Sequence, residues 1–192
     1  MTTISRLYDS NAHAQSVVGD VKALGIPAGE ISMIANRNAV GVDVESSGAA
    51  IGATVGAAVG GGAGLLAGLG IMAIPGVGPV VAAGWLAATL AGVVAGTASG
   101  GLIGALTDIG HTKDDAELYA EGLRRGGTLV TVRTNSHRDA EIAAVMDKSN
   151  PVDTTARRSE YRNGGWKGYD QNAVPHTVTD AERDRQSGSM NR

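Results

Sequence analysis

The hydrophobic and polar positions at the start of the chain predict a strand, a helix and a second strand. Thr2–Tyr8 fits a strand, and residues 11–24 place their apolar side chains at helical spacing before Gly25 ends the pattern. Residues 30–36 alternate between two faces and predict another strand. Residues 40–45 predict a further short, paired strand.

The same elements recur further along the chain. Thr112 begins a capping-box-like sequence before a helix with an apolar stripe, and Thr128–Thr134 is a strand rich in β-branched residues. Ser136 is placed to cap a last helix. The first part of the chain thus has the order strand, helix, strand, and the second part returns with a helix and a strand. This order predicts an α+β domain with a ferredoxin-like split β-α-β sheet.

Between these parts, small residues recur at a spacing of four. The first series consists of Gly48, Gly52, Gly56, Gly60, Gly64 and Gly68, and the second contains Gly84, Gly92, Gly96, Gly100 and Gly104. Residues four apart share one face of a helix, so each series predicts a bare stripe along which two backbones approach closely. We therefore expect helices over residues 47–73 and 79–106, joined at Gly76-Val-Gly-Pro as a long antiparallel glycine-zipper hairpin.

Charge divides the chain into four parts. Residues 46–107 contain no Asp, Glu, Lys or Arg. This run predicts a hydrophobic helical hairpin that interrupts an α/β domain, whose halves are residues 1–45 and 108–148. Residues 149–192 are polar, with balanced charge, and predict an extended arm or a disordered tail.

Two environments are compatible with such a hairpin. One is a lipid bilayer, because each arm is uncharged and would reach roughly 40 Å as a helix, more than the hydrocarbon thickness of about 30 Å. No signal-peptide pattern precedes the first strand, so both flanks would then face the cytoplasm from the inner membrane. The other is the interior of a soluble ring, shell or filament in the cytoplasm. Gly and Ala contribute little hydrophobic transfer energy, which counts against simple insertion, but the length of the arms and their lack of charge keep the membrane as the first of the two environments.

The sequence gives little indication of catalysis or ligand binding. It contains no Cys, and His13, His111, His137 and His176 are too widely separated to form a metal-ligand pattern. We predict no catalytic residue, no cofactor, no metal site and no small-molecule substrate. A net charge of −3 gives no electrostatic reason to expect nucleic acid as a partner.

The polar tail contains one island of aromatic residues. Tyr161, Trp166 and Tyr169 alternate with Arg and Lys, and these residue types dominate interface energies. We expect the three aromatic residues to anchor the arm on a folded surface, with a neighbouring copy as one candidate.

The order of these patterns resembles the bacterial general stress protein (17M-like) domain family, also called heat-induced stress proteins. The similarity includes the first strand and the Leu24-Gly-Ile-Pro sequence that ends the first helix. It also includes the glycine-rich insertion and the Trp166-Lys-Gly-Tyr-Asp sequence of the tail. The resemblance implies a non-enzymatic stress-response protein with no catalytic residues to transfer. We expect association with membranes or self-assembly into homo-oligomers through the hairpin. The alternative is a soluble structural assembly with the hairpins buried inside.

Overall fold

The structure is a computed structural model that describes residues 2–37, 70–94, 101–135 and 137–174, together with residues 176, 179 and 182; side chains are not described at 91–94. The strands are β1 (Thr2–Tyr8), β2 (Ile31–Asn36), β3 (Gly70–Ile74), β4 (Gly78–Ala83) and β5 (Thr128–Thr134). The α-helices are α1 (Asn11–Ala23), α2 (Trp85–Val94), α3 (Gly101–Asp108), α4 (Lys113–Arg124), α5 (Asp139–Lys148) and α6 (Thr154–Asn163). A short 3-10 turn, Ala28–Glu30, precedes β2.

The chain forms an α+β fold around one five-stranded sheet. The strand order is β1-β5-β2-β4-β3, and every neighbouring pair is antiparallel. Strands β1 and β2 therefore run in the same direction, and β5 lies between them in the opposite direction. Register pairs place Ile4 opposite Val132 and Ile31 opposite Val132 on the two sides of β5.

Helices cover both faces of the sheet, each over its own hydrophobic core. On one face, α1 and α5 pack on alternate residues of β1, β2 and β5. The helices contribute Val17, Val21 and Met146 to this core. The other core contains Leu7, Ile34 and residues of α2, α3 and α4. Alternation along the strands supplies both cores, because successive side chains point to opposite faces.

Sequence-predicted elements outside the middle of the chain are confirmed with small shifts. The first and last strands have the predicted bounds, and α1 ends one residue earlier than expected. Thr112 caps α4 by accepting a hydrogen bond from the Asp115 amide at 3.2 Å. Ser136 lies outside the described residues, and Arg138 occupies the N-cap position of α5. The predicted strand at 40–45 also lies outside the described part of the chain.

The middle of the chain corrects the prediction of one long helical hairpin. Residues 70–74 and 78–83 are strands rather than helix ends, and they form a β-hairpin that extends the sheet. Gly76 and Gly78 have φ values of +73° and +99° in its turn, which only glycine adopts readily. Val80 and Ala82 are fully buried, so alternate residues of β4 contribute to the core. None of the described helices is both long enough and apolar enough to cross a membrane.

The C-terminal tail also differs from the expected disordered or extended arm. Residues 154–163 form α6, and the chain before it joins the sheet edge, where the Val152 amide donates to the Leu7 carbonyl at 2.8 Å. The Asp153 side chain caps α6 by accepting from the amides of Thr155 and Ala156 at 2.8 and 3.0 Å. This cap and the ion pairs described below fix a segment whose composition resembles that of disordered chains.

Candidate functional site

The predicted helix-packing glycines fall into three groups in the structure. Gly48, Gly52, Gly56, Gly60, Gly64, Gly68, Gly96 and Gly100 lie outside the described residues. Gly92 and Gly104 lie in α2 and α3, and a Cβ added at Gly104 would meet no atom of the described residues within 4 Å. The segment predicted to pack against this stripe lies outside the described residues, so the packing role of Gly104 stays a prediction.

Gly84 does not lie on a helix face, which corrects the prediction for this residue. It forms the bend between β4 and α2 with a φ of +87°. A Cβ at Gly84 would lie 2.2 Å from the Ile31 carbonyl oxygen and 2.8 Å from the Ser32 Cα. Glycine is needed here because the backbone is left-handed and passes directly against β2.

We call residues 149–174 the arm, and its main anchor is Tyr161. This side chain is only 3% exposed although it belongs to a polar helix. The guanidinium of Arg125, at the end of α4, lies 4.4 Å from the ring centroid, and that of Arg157 lies 5.7 Å from it. Trp166 packs its ring edge-on at 6.0 Å. Burial raises the pKa of Tyr161, so the phenol stays neutral between the two cations.

Two arginines of α6 pair with acids on the body of the domain. Arg157 donates to both carboxylate oxygens of Asp9, just after β1, at 2.7 and 2.6 Å. Arg158 donates to Asp115 on α4 at 2.6 Å. Burial opposes ionisation of Asp115, but hydrogen bonds from Thr112 and Arg158 outweigh it and lower its pKa. Hydrogen bonds to charged groups are among the stronger ones, so these pairs fix the direction of α6.

A buried carboxylate organises the end of α4. Glu121 is 5% exposed and accepts from Arg124 at 2.6 and 2.8 Å and from Arg125 Nε at 2.6 Å. The pairing holds Arg125 over the Tyr161 ring, and Arg125 Nη1 also donates to Glu182 at 3.2 Å. The sequence analysis did not identify this role of Glu121, although its spacing of three and four from the two arginines is a local signal.

Glu182 is a second buried carboxylate near the arm. It accepts from the Thr179 amide at 2.8 Å and shares a 2.7 Å hydrogen bond with His176. Burial opposes its ionisation, but hydrogen bonds from His176 and Thr179 prevail and lower the pKa of Glu182 to about 2. The Glu182 amide donates back to the Thr179 hydroxyl at 3.3 Å, as in a capping box.

Of the other two predicted anchors, Trp166 contacts Tyr161 within the arm, and Tyr169 attaches the arm to the body of the domain. The Trp166 amide donates to the Tyr161 carbonyl at 2.9 Å. The Tyr169 hydroxyl donates to the Pro75 carbonyl in the β3–β4 turn. Behind it, the backbone at Asp170 leaves no space for a Cβ at Gly76. The arm thus joins β1, α4 and the hairpin turn, three places that are far apart in sequence.

Among the four histidines, His111 has the most constrained surroundings. Its Nε2 lies 2.7 Å from the Ser5 hydroxyl, which lies 3.0 Å from the hydroxyl of Thr131. The His111 ring also packs edge-on against Tyr119, and burial lowers its pKa. Ser5 is 2% exposed, so this Ser–His pair is closed to a substrate and acts as a polar link between β1, β5 and the α3–α4 connection.

His13 lies in α1, and His137 is exposed just before α5. The described residues contain no group of three His, Asp or Glu side chains placed to hold a metal ion.

No family model matches this chain, and neither a curated protein nor a solved structure is significantly similar to it. The resemblance to general stress proteins therefore stays a prediction.

Proposed function

We propose that this chain is a non-enzymatic protein that assembles with copies of itself through the uncharged residues 46–69, as a general stress-response protein of the cytoplasm. The supporting observation is where the chain leaves and re-enters the sheet. Strand β2, which ends at Asn36, and strand β3, which begins at Gly70, both pair with β4. The residues between these two strands therefore leave and rejoin the same sheet.

These attachment points restrict how the segment can meet a bilayer. The two strands are separated by β4 alone, roughly 10 Å across the sheet, and they run in the same direction. A single crossing by residues 46–69 would place β2 and β3 on opposite sides of the membrane and break the sheet. The segment must therefore return to the side from which it departs.

Its length then disfavours a complete crossing. As one helix, residues 46–69 would extend roughly 36 Å. Divided into two limbs that go out and return, they would reach only roughly 18 Å, against a hydrocarbon thickness of about 30 Å. Packing between copies has no such length requirement, and the spacing of four favours close contact between backbones.

Much of the rest of the uncharged run, where the structure describes it, is used within the domain. Val80, Leu86, Leu90, Leu102 and Leu106 are fully buried and build the domain's own core. We therefore assign contact with a partner to residues 46–69, together with the adjoining strand β3. Ile71 on β3 is 40% exposed, and no charge separates it from the segment.

Two further assignments belong to the same proposal. The order β1-β5-β2 supports the assignment of β1, α1 and β2 as a ferredoxin-like split β-α-β unit. The arm anchors Tyr161 and Tyr169 have partners within the chain, and we infer that the arm stabilises each copy rather than gripping a neighbour.

The test combines light scattering with vesicle flotation on the full chain. We expect a lipid-free oligomer that does not float with anionic vesicles, and Gly56→Leu should reduce its mass because a large side chain separates the packed backbones. Gly19→Leu is the matched control, since a Cβ at Gly19 in α1 meets no atom of the described part of the chain within 4 Å. A monomer that floats would support the membrane alternative against self-assembly. A monomer that stays with the soluble fraction would contradict both.

A further inference from the structure

A groove at the end of the sheet is independent of the glycine-rich segment and of the arm. It has a volume of about 310 Å³ and lies where β5 ends beside the loop that enters β2. Its lining includes Gly25, Ile26 and Pro27 from that loop, and Arg133, Asn135 and Arg138 from the end of β5 and the chain after it. Small-molecule sites have volumes of roughly 300–1,000 Å³, so the groove fits a compact ligand.

Arg133 is held in place by contacts on several sides. Its guanidinium stacks on the Trp85 ring at 4.3 Å from the centroid, and its Nε donates to Glu30 at 2.8 Å. Its Nη2 also reaches the Gly29 carbonyl at 3.5 Å, while Nη1 has no hydrogen-bond partner among the described residues. A guanidinium fixed in this way loses little side-chain entropy when it binds an anion.

Arg138 supplies a second guanidinium with free donors. Its Nε donates to Glu141 at 2.9 Å, and within the described parts of the chain neither Nη atom has a partner. Among the described residues, Glu30 is the only acid that lines the groove, and Glu141, which pairs with Arg138, is not part of the lining. The lining itself therefore carries two cations and one anion. The paired N–H groups of arginine match the geometry of carboxylate and phosphate oxygens.

We propose that this groove binds a small organic anion, with its carboxylate or phosphate between Arg133 and Arg138 and a compact apolar group against Ile26 and Pro27. Selection follows from the two kinds of lining residue, because the arginines recognise the charge and Ile26 and Pro27 offer apolar surface to the rest of the ligand. The stack of Arg133 on Trp85 makes the indole a reporter of occupancy.

The experiment is an NMR titration of the full chain with benzoate and with phenyl phosphate, and with benzyl alcohol as the neutral control. We expect at least one anion to shift the Arg133 Nε–H and Trp85 Nε1–H signals to saturation, while benzyl alcohol does not. A Trp166→Phe variant distinguishes the two indole signals. Saturation with benzoate alone assigns the site to carboxylates, and saturation with phenyl phosphate alone assigns it to phosphates.

Substitutions test whether the arginines bind the probe. Arg138→Gln and Arg133→Gln should each weaken binding about tenfold or more, the usual effect of removing a hydrogen bond to a charged group. Among the described residues the Arg138 side chain pairs only with Glu141, and both are exposed, so its variant should fold normally. Arg162→Gln, an exposed change on α6, should leave affinity unchanged. The proposal is overturned if neither anion saturates the shifts, if benzyl alcohol binds equally, or if Arg138→Gln retains full affinity.

Discussion

Alanine at Gly84 and at Gly104 should have opposite effects on stability, although both glycines belong to the same spacing of four. Gly84 is left-handed at the bend before α2, with the β2 backbone 2.2 Å from the position of a Cβ. Gly104 is helical, in α3, and no atom of the described residues lies within 4 Å of its Cβ position. A continuous glycine-packed helix would instead make both substitutions unfavourable.

The magnitude for Gly84→Ala follows from two terms. A left-handed non-glycine residue costs roughly 1–2 kcal/mol. Displacing the backbone of β2 adds roughly 1–3 kcal/mol, as for other overpacked sites. The 2.7 Å hydrogen bond from Ser32 to the Ala83 carbonyl lies beside the clash and would be strained with it. We expect destabilisation of about 2–5 kcal/mol, whereas Gly104→Ala should stabilise by roughly 0.5–1 kcal/mol.

Urea unfolding followed by circular dichroism measures both values. With an m-value of roughly 1–3 kcal/mol/M, the midpoint of Gly84→Ala should fall by about 1–2 M or more, and that of Gly104→Ala should rise slightly. Equal losses at the two positions would contradict the open surroundings of Gly104 and restore the glycine-stripe interpretation for that residue. An unchanged midpoint for Gly84→Ala would refute the close approach of Gly84 to β2.

Three further outcomes are expected. Burial lowers the pKa of His111 in the folded chain, so the unfolded chain takes up a proton at higher pH than the folded chain does. The free energy of unfolding should therefore fall as the pH drops from above about 6.5 to below the pKa of His111 in the folded chain. If a His111→Gln variant loses stability with pH just as steeply, this assignment is contradicted. Arg157→Ala removes the bidentate pair with Asp9 and should cost about 1–3 kcal/mol. It should also speed proteolysis of the arm, whereas the exposed control Arg162→Ala should not; equal cleavage of both variants would argue against the pair. Gly76→Ala should increase hydrogen exchange in the arm beyond residue 164, since a Cβ at Gly76 would overlap the arm backbone, and unchanged exchange would rule out that contact.

Local patterns were sufficient for the flanks of the chain. Thr2–Tyr8 and Thr128–Thr134 have the predicted bounds, because residue type and the neighbouring turns determine them over a few positions. In the middle, the series of small residues ends at Gly68 and resumes at Gly84, so none of its members lies on β3 or β4. The prediction extended both helices into residues 70–83, an uncharged apolar stretch in which periodicity alone does not separate a buried strand from a buried helix.

Long-range pairing explains what else the sequence did not indicate. Arg157 and Asp9 are 148 positions apart, and no local pattern relates them. The spacing of four between Arg157 and Tyr161 was a local signal for their contact on α6, but it did not indicate that the arm would pack on its own domain. The stack of Arg133 on Trp85 likewise depends on how β5 and α2 meet in the fold.

The mass of the full chain by native mass spectrometry, without detergent or lipid, tests the central claim most directly. Self-assembly through residues 46–69 predicts a discrete multiple of the 19.3 kDa chain that decreases in Gly56→Leu and persists in Gly19→Leu. A single copy of 19.3 kDa that remains dissolved across the concentration range would contradict the account.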